Sequence, residues 1–158
     1  MEKQLLLKQA DIAMLQSQID PHFLYNTLEC IRGMAVEHGS YDICAMAEAL
    51  ATFFRYSISI RSNVVPLMDE LEHIRNYVTI QQYRFPKRFR LTIEADRQDH
   101  VLMEALIPKL TLQPIVENCI IHGFRDIVSG GVISITAERT QTHLDLTIED
   151  NGKGMSDG

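Results

Sequence analysis

Apolar residues recur at helical spacing through the first sixty positions. Leu5, Ile12, Leu15, Ile19, Phe23, Leu28, Ile31 and Ala35 predict one long helix over residues 1–37. Leu5, Ile12, Ile19 and Asn26 stand seven apart, as in a helix–helix seam. Gly39 supplies a left-handed stop, and Ser40 an N-cap for a second helix over about 41–60. That helix places Ile43, Met46, Leu50, Phe53 and Ser57 on one stripe, and Ala45, Ala47, Ala49 and Ala51 allow close approach. Two helices joined by a Gly-Ser turn make an antiparallel hairpin. A hairpin alone buries little, so pairing with a second copy into a four-helix bundle is expected.

Residues 61–68 read as a linker. Asp69 and Glu72 resemble a capping box for a third helix that runs to about Phe85, with Leu71, Ile74, Val78 and Phe85 inward and Pro86 as its stop. The period then changes from helical to two. Leu91, Ile93 and Ala95 alternate with Thr92, Glu94 and Asp96 as a strand. Pro108 opens a helix through about His122, apolar at Leu112, Ile115, Val116, Cys119 and Ile120, and Gly123 ends it. Strands follow over 132–138 and 143–149. The fold class is α+β: a helical hairpin, then a helix–strand unit.

Composition narrows the function classes. With 158 residues, 46% hydrophobic and 23% charged, the chain is globular. No stretch approaches the ~18 apolar residues that a membrane span needs, and no secretory leader opens it. That excludes a span within this piece, though not upstream of it. The net charge of −6 argues against a broad nucleic-acid footprint. Charge is uneven: residues 1–60 carry −3, 61–100 carry +1 and 101–158 carry −4. The basic cluster Arg84, Lys87, Arg88 and Arg90 reads as a solvated helix end, with docking of an acidic partner as the alternative. Cys30, Cys44 and Cys119 have neither pairing number nor CxxC spacing, so disulfides and zinc are not expected and a reducing compartment fits. The seven methionines read as core filler.

Three segments carry candidate chemistry. Gln18-Ile-Asp-Pro-His22-Phe-Leu-Tyr-Asn26 puts a proline just before a histidine inside a helical pattern, where it removes a hydrogen bond. Imidazole is a nucleophile able to carry a phosphoryl group. From spacing alone, the favoured reading is the plainer one, in which His22 is a polar residue near a seam and Pro21 a tolerated kink. Leu112-Gln-Pro-Ile-Val-Glu117-Asn118-Cys-Ile-Ile-His122-Gly123 sets Asn118 and His122 four apart on one helix face. An Asn amide oxygen can ligate Mg²⁺, and Glu117 could orient or deprotonate a nucleophile. The plainer alternative is an amphipathic helix with a polar end. Asp150-Asn151-Gly152-Lys153-Gly154 reads first as a turn. Its alternative is a loop whose carboxylate bonds a ligand amine while glycines admit the ligand closely.

In combination the three change meaning. The first resembles the phosphoacceptor box of LytS-type sensor histidine kinases. The second resembles the N box of the GHKL-type ATP-binding domain that follows it in that family, and Asp150 to Met155 resembles the first glycine box. The segment from Val65-Pro-Leu to Tyr83-Arg-Phe85 resembles the family's connecting helix. Order and spacing match from about Leu15 to Met155.

The resemblance implies three regions. Residues 1–64 would be the helical dimerisation and phosphoacceptor region, 65–88 a connecting segment and helix, and 89–158 the start of a GHKL-type α/β sandwich. It implies ATP and Mg²⁺ as cofactors. His22 would be the phosphoacceptor and Glu117 the general-base or orienting group. Asn118 would be the metal ligand, with His122 near the phosphates. Asp150 would accept from the adenine amine, and Gly152 and Gly154 would line that wall. The implied partners are a second copy and a response regulator, with no direct nucleic acid. Membrane attachment would run only through upstream segments, so the chain would be the cytoplasmic portion of a membrane sensor. A mobile lid and second glycine box have no room after Gly154, so the chain reads as a truncated piece expected to bind ATP weakly or not at all. Tight Mg²⁺-dependent binding by calorimetry would overturn that. Phe23 stands where some histidine kinases carry an acid, which leaves Asp20 and Glu117 open as handlers of the imidazole proton. A non-catalytic docking scaffold and a different GHKL ATPase remain as alternatives; the second leaves Pro21-His22 unexplained.

Overall fold

A computed structural model describes residues 20–59 and 62–154. It has α+β architecture in two compact units that divide between Ser59 and Ile60. Leu5, Ile12 and Ile19 of the expected seam, Leu15 of the expected helix, and Met155 of the last motif lie outside the described residues.

The first unit is a helical hairpin. Helix α1 spans Pro21–Glu37 and α2 spans Tyr41–Ile58. The expectation of one helix running through Pro21 is corrected. Asp20 is extended and caps α1, its carboxylate accepting from the amides of His22 at 3.0 Å and Phe23 at 3.4 Å. Pro21 therefore stands at the first helical position, where its missing N–H costs nothing and its φ is already helical. Gly39 adopts φ 66° and ends α1 as expected. Leu28 and Ala35 of α1 and Ala47, Ala49 and Ala51 of α2 are buried. The small side chains let the helices approach, while Phe23, Met34 and Ile43 remain exposed on this unit.

The second unit begins with strand β1, Val64–Pro66, inside the segment expected to be a linker. Helix α3, Leu67–Arg84, follows without a side-chain cap. The Asp69–Glu72 capping box is corrected: the helix starts two residues before Asp69, and Glu72 pairs instead with Arg97 at 3.0 Å. Strand β2 is Phe89–Ala95, and a short helix α4, His100–Met103, leads into strand β3, Leu106–Pro108. Strand β3 pairs antiparallel with β1. Pro108 thus closes a strand and does not open a helix. Helix α5 is Leu112–Asn118 and continues as a π-helical turn, Cys119–Gly123. Strands β4, Gly131–Arg139, and β5, Leu144–Asp150, complete a three-stranded sheet in the order β2-β4-β5. Strand β2 runs parallel to β4, and β5 antiparallel to it.

The core of this unit joins helices to sheet. Leu67, Leu71, Ile74 and Val78 from α3 meet Leu112 and Val116 from α5 and Ile133, Ile135 and Ala137 from β4, all buried. Phe124 is fully buried and stacks on Phe89 at 5.8 Å. That pair pins the chain leaving the π turn to the start of β2.

Candidate functional site

The C-terminal half of α5 and the end of β5 are held together by their own backbone groups. The carbonyl of Gly123 accepts from the amide of Lys153 at 3.3 Å. The side chain of Asn151 accepts from the amide of Val132 at 2.7 Å and donates to the carbonyl of Gly130 at 3.0 Å, clipping the loop to the first residues of β4. Asp150 accepts from the amide of Gly152 at 2.8 Å. Gly152 must be glycine for lack of space: a Cβ there would lie 2.7 Å from the carbonyl carbon of Gly123 and 2.7 Å from Asp150 Oδ1.

A cavity of about 610 Å³ opens between these elements, lined by Ile115, Asn118, Cys119, His122, Gly123, Ile148, Asp150 and Gly154. Its size suits a small-molecule ligand. Asn118 and His122, expected on one helix face, both reach it across the π turn, where the amide of Phe124 bonds the carbonyl of Cys119 at 3.0 Å. A π turn inserts one residue per hydrogen-bonded ring, a distortion frequent at functional sites. Gly154 lines the cavity with φ 70°; Gly152 does not line it but sets the loop against Gly123. Cys119 was not among the expected site residues. Its buried thiol bonds Asp150, and burial followed by that bond pushes its pKa up to about 12. It therefore stays an S–H donor, and its apolar spacing on the helix concealed that contact.

Ile115 and Ile148 offer apolar walls for a planar ring, with the Asp150 carboxylate as acceptor for an amino group. Among the described residues no group of three or more His, Cys, Asp or Glu is placed to hold a metal ion. The Asn118 amide beside an open cavity suits a hard cation that takes most of its oxygens from phosphate and water.

Glu117 does not line the cavity. Its charge acts on Tyr77 of α3, whose pKa is pushed up to about 12 by burial first and by Glu117 second. Two further contacts tie α5 to α3. Glu70, fully buried, accepts from the amides of Leu110 at 2.7 Å, Thr111 at 3.0 Å and Leu112 at 3.2 Å. His73, also buried, donates from Nε2 to Gln113 Oε1 at 2.7 Å. Sequence reasoning missed both residues. The available signal was a carboxylate and an imidazole sharing the α3 face of Leu67, Leu71, Ile74 and Val78.

Burial holds the His73 pKa below its ordinary 6.5; the Gln113 bond and the Glu70 charge oppose this, and the Lys109 charge adds to it. The unfolded chain thus takes a proton that the folded form resists. Stability is full above pH 6.5 and is lost as pH falls below it, until the folded form also protonates. Calorimetry should show a falling melting temperature from about pH 7.5 to about pH 5.5, flattened by His73→Gln, at no more than about 1.4 kcal/mol per pH unit. An equally steep fall in the variant would exclude His73 as the source.

His22 lies in the other unit, exposed on the first turn of α1. Asp20 spends its Oδ1 on the cap, so its first role is to hold that turn.

Comparisons with known proteins point to one family. A family model described as histidine kinase matches residues 10–89. The chain is 40% identical over 154 residues to sensor histidine kinase YesM of Bacillus subtilis (strain 168), covering 98% of this chain and 26% of that protein. It is 38% identical over 146 residues to sensor histidine kinase BtsS of Escherichia coli (strain K12), covering 92% of this chain and 25% of BtsS. It is 37% identical over 153 residues to sensor protein LytS of Oceanobacillus iheyensis, covering 96% and 26%. The chain therefore spans about a quarter of the length of these relatives.

Proposed function

We propose, from the premise that this chain belongs to the histidine kinase family, that it is the phosphoacceptor and nucleotide-binding core of a two-component sensor kinase. ATP donates its γ-phosphoryl group to an imidazole nitrogen of His22. The bond from γ-phosphorus to the bridging oxygen breaks, an N–P bond forms, ADP leaves, and the imidazole loses its proton. The phosphoryl group then passes to an aspartate of a response regulator.

One observation carries the reading: Asn118, His122, Asp150 and Gly154 line a single cavity although they come from two distant motifs. Asp150 binds the adenine amine between the walls of Ile115 and Ile148. Asn118 holds Mg²⁺, which neutralises phosphate charge when bound, and His122 approaches the same phosphates. Gly152 keeps the loop seated on Gly123. Glu117, outside the cavity lining, takes the orienting part of its two candidate roles.

The exposed Phe23, Met34 and Ile43 support pairing of the hairpin with a second copy. Residues 1–64 then serve dimerisation and phosphoacceptance, 65–88 connect, and 89–158 begin the ATP-binding domain. Among the described residues no helix is long and apolar enough to cross a membrane, so attachment as a membrane sensor would use other segments and leave this part cytoplasmic. The full-length protein given Mg²⁺ and γ-labelled ATP should acquire label that is lost in acid and survives alkali. Label stable to acid, or none, overturns the proposal; none with retained phosphate exchange from a regulator favours the scaffold.

A further inference from the structure

Helix α5 carries Asn118 and His122 but has little means of fixing its own position. It has seven α-helical residues before the π turn, too few for a self-supporting helix. Its N-cap, Thr111, makes no side-chain capping bond. The preceding Leu110 sits at φ 60°, a left-handed conformation that a branched side chain adopts only when its surroundings impose it.

Helix α3 supplies what is missing. The Glu70 carboxylate takes the amides of Leu110, Thr111 and Leu112. One turn on, His73 bonds Gln113. Glu70 and His73 are three apart on α3, and the amides of 110–112 and Gln113 follow one another, so the contacts form one line between the helices. Apolar packing between helices tolerates sliding and small rotations. Directional bonds to a buried carboxylate do not, because a displaced donor leaves the charge unsatisfied. The other side of α5, bearing Ile115, Asn118 and His122, faces the cavity.

We propose that Glu70 and His73 are positioning residues that set the axial and rotational register of the helix presenting Asn118. The inference rests on the nucleotide-binding reading above and adds that metal affinity at Asn118 depends on α3. Glu70 stands on the first turn of α3, ten residues after Ile60, where the second unit begins, with β1 between them. A shift of the α3 N-terminus therefore reaches Asn118 through this line.

The test uses the full-length protein with Glu70→Gln, Asn118→Ala and both together. Gln keeps the size and one acceptor oxygen but loses the charge. Glu70→Gln should weaken the half-saturating Mg²⁺ concentration for ATP binding about tenfold, since each lost charge-assisted bond is worth roughly that factor. The double variant should bind Mg²⁺·ATP no more weakly than Asn118→Ala alone. Hydrogen exchange without nucleotide should show lost protection at the amides of 110–112 extending into 118–123. Should Glu70→Gln not fold, His73→Phe keeps a ring and removes the bond to Gln113, and should raise the same Mg²⁺ midpoint about threefold. A wild type that does not bind Mg²⁺·ATP overturns both the function and this inference. A wild type that binds, with an unchanged Mg²⁺ midpoint in the variants or additive losses in the double variant, overturns the positioning role alone.

Discussion

His22→Gln in the full-length protein abolishes acid-labile labelling from γ-labelled ATP. The loss is at least about a thousandfold, because glutamine offers no nucleophilic ring nitrogen. His22 is exposed, and its backbone amide, not its ring, makes the capping bond to Asp20. The substitution therefore leaves helix α1 intact, and the melting temperature should stay within the range of a neutral surface change, about 0.5 kcal/mol. His38 is the control. It is also exposed on the hairpin, but its Nδ1 donates to the carbonyl of Met34 at 2.8 Å at the end of α1. His38→Gln should keep the label. Label that persists in His22→Gln, or that disappears in His38→Gln alone, would move the phosphoacceptor away from His22.

Gly152→Ala is expected to remove nucleotide binding almost completely. The added methyl carbon would lie 2.7 Å from the Gly123 carbonyl carbon and 2.7 Å from Asp150 Oδ1. Backbone lies on one side and the ligand-facing carboxylate on the other, so relief requires opening the loop that seats Asp150. Overpacking of this kind costs about 1–3 kcal/mol. If the loop moves out, the cost is taken from binding, a loss of roughly a hundredfold in affinity at 1.4 kcal/mol per tenfold. Gly154→Ala makes the contrast. Nothing lies within 4 Å of its Cβ, but its φ is 70°, so the penalty is conformational and about 1 kcal/mol. Calorimetric titration with Mg²⁺·ATP should rank the two variants in that order. Equal affinities for Gly152→Ala and wild type would show that the loop has room the geometry denies it.

Much of the element order was legible because period is a local property. Alternation over Leu91–Ala95 and Leu144–Ile148 marked β2 and β5, and Gly39 with Ser40 marked the hairpin turn. The misplacements have equally local causes. Strands β1 and β3 are three residues each, too short to show alternation, and their pairing joins residues 40 to 44 positions apart. Apolar spacing ran smoothly across Asp20-Pro21 and suggested one helix, although Asp-Pro is also the signature of a capped start. The π turn has no composition of its own; it arises where Phe124 must enter the core beside Phe89.

By itself the sequence determined most of the longer elements, their order, and which residue types could carry phosphoryl and nucleotide chemistry, since these follow from side-chain identity and short-range spacing. Only the tertiary structure decided that Asn118, His122, Asp150 and Gly154 line one cavity and Glu117 does not, that Asp20 caps a helix, and that Glu70 reaches the amides of 110–112 across 40 residues of chain. A hydrogen bond between distant segments depends on where both backbones finish. That is settled by packing the whole core, and no local pattern encodes it.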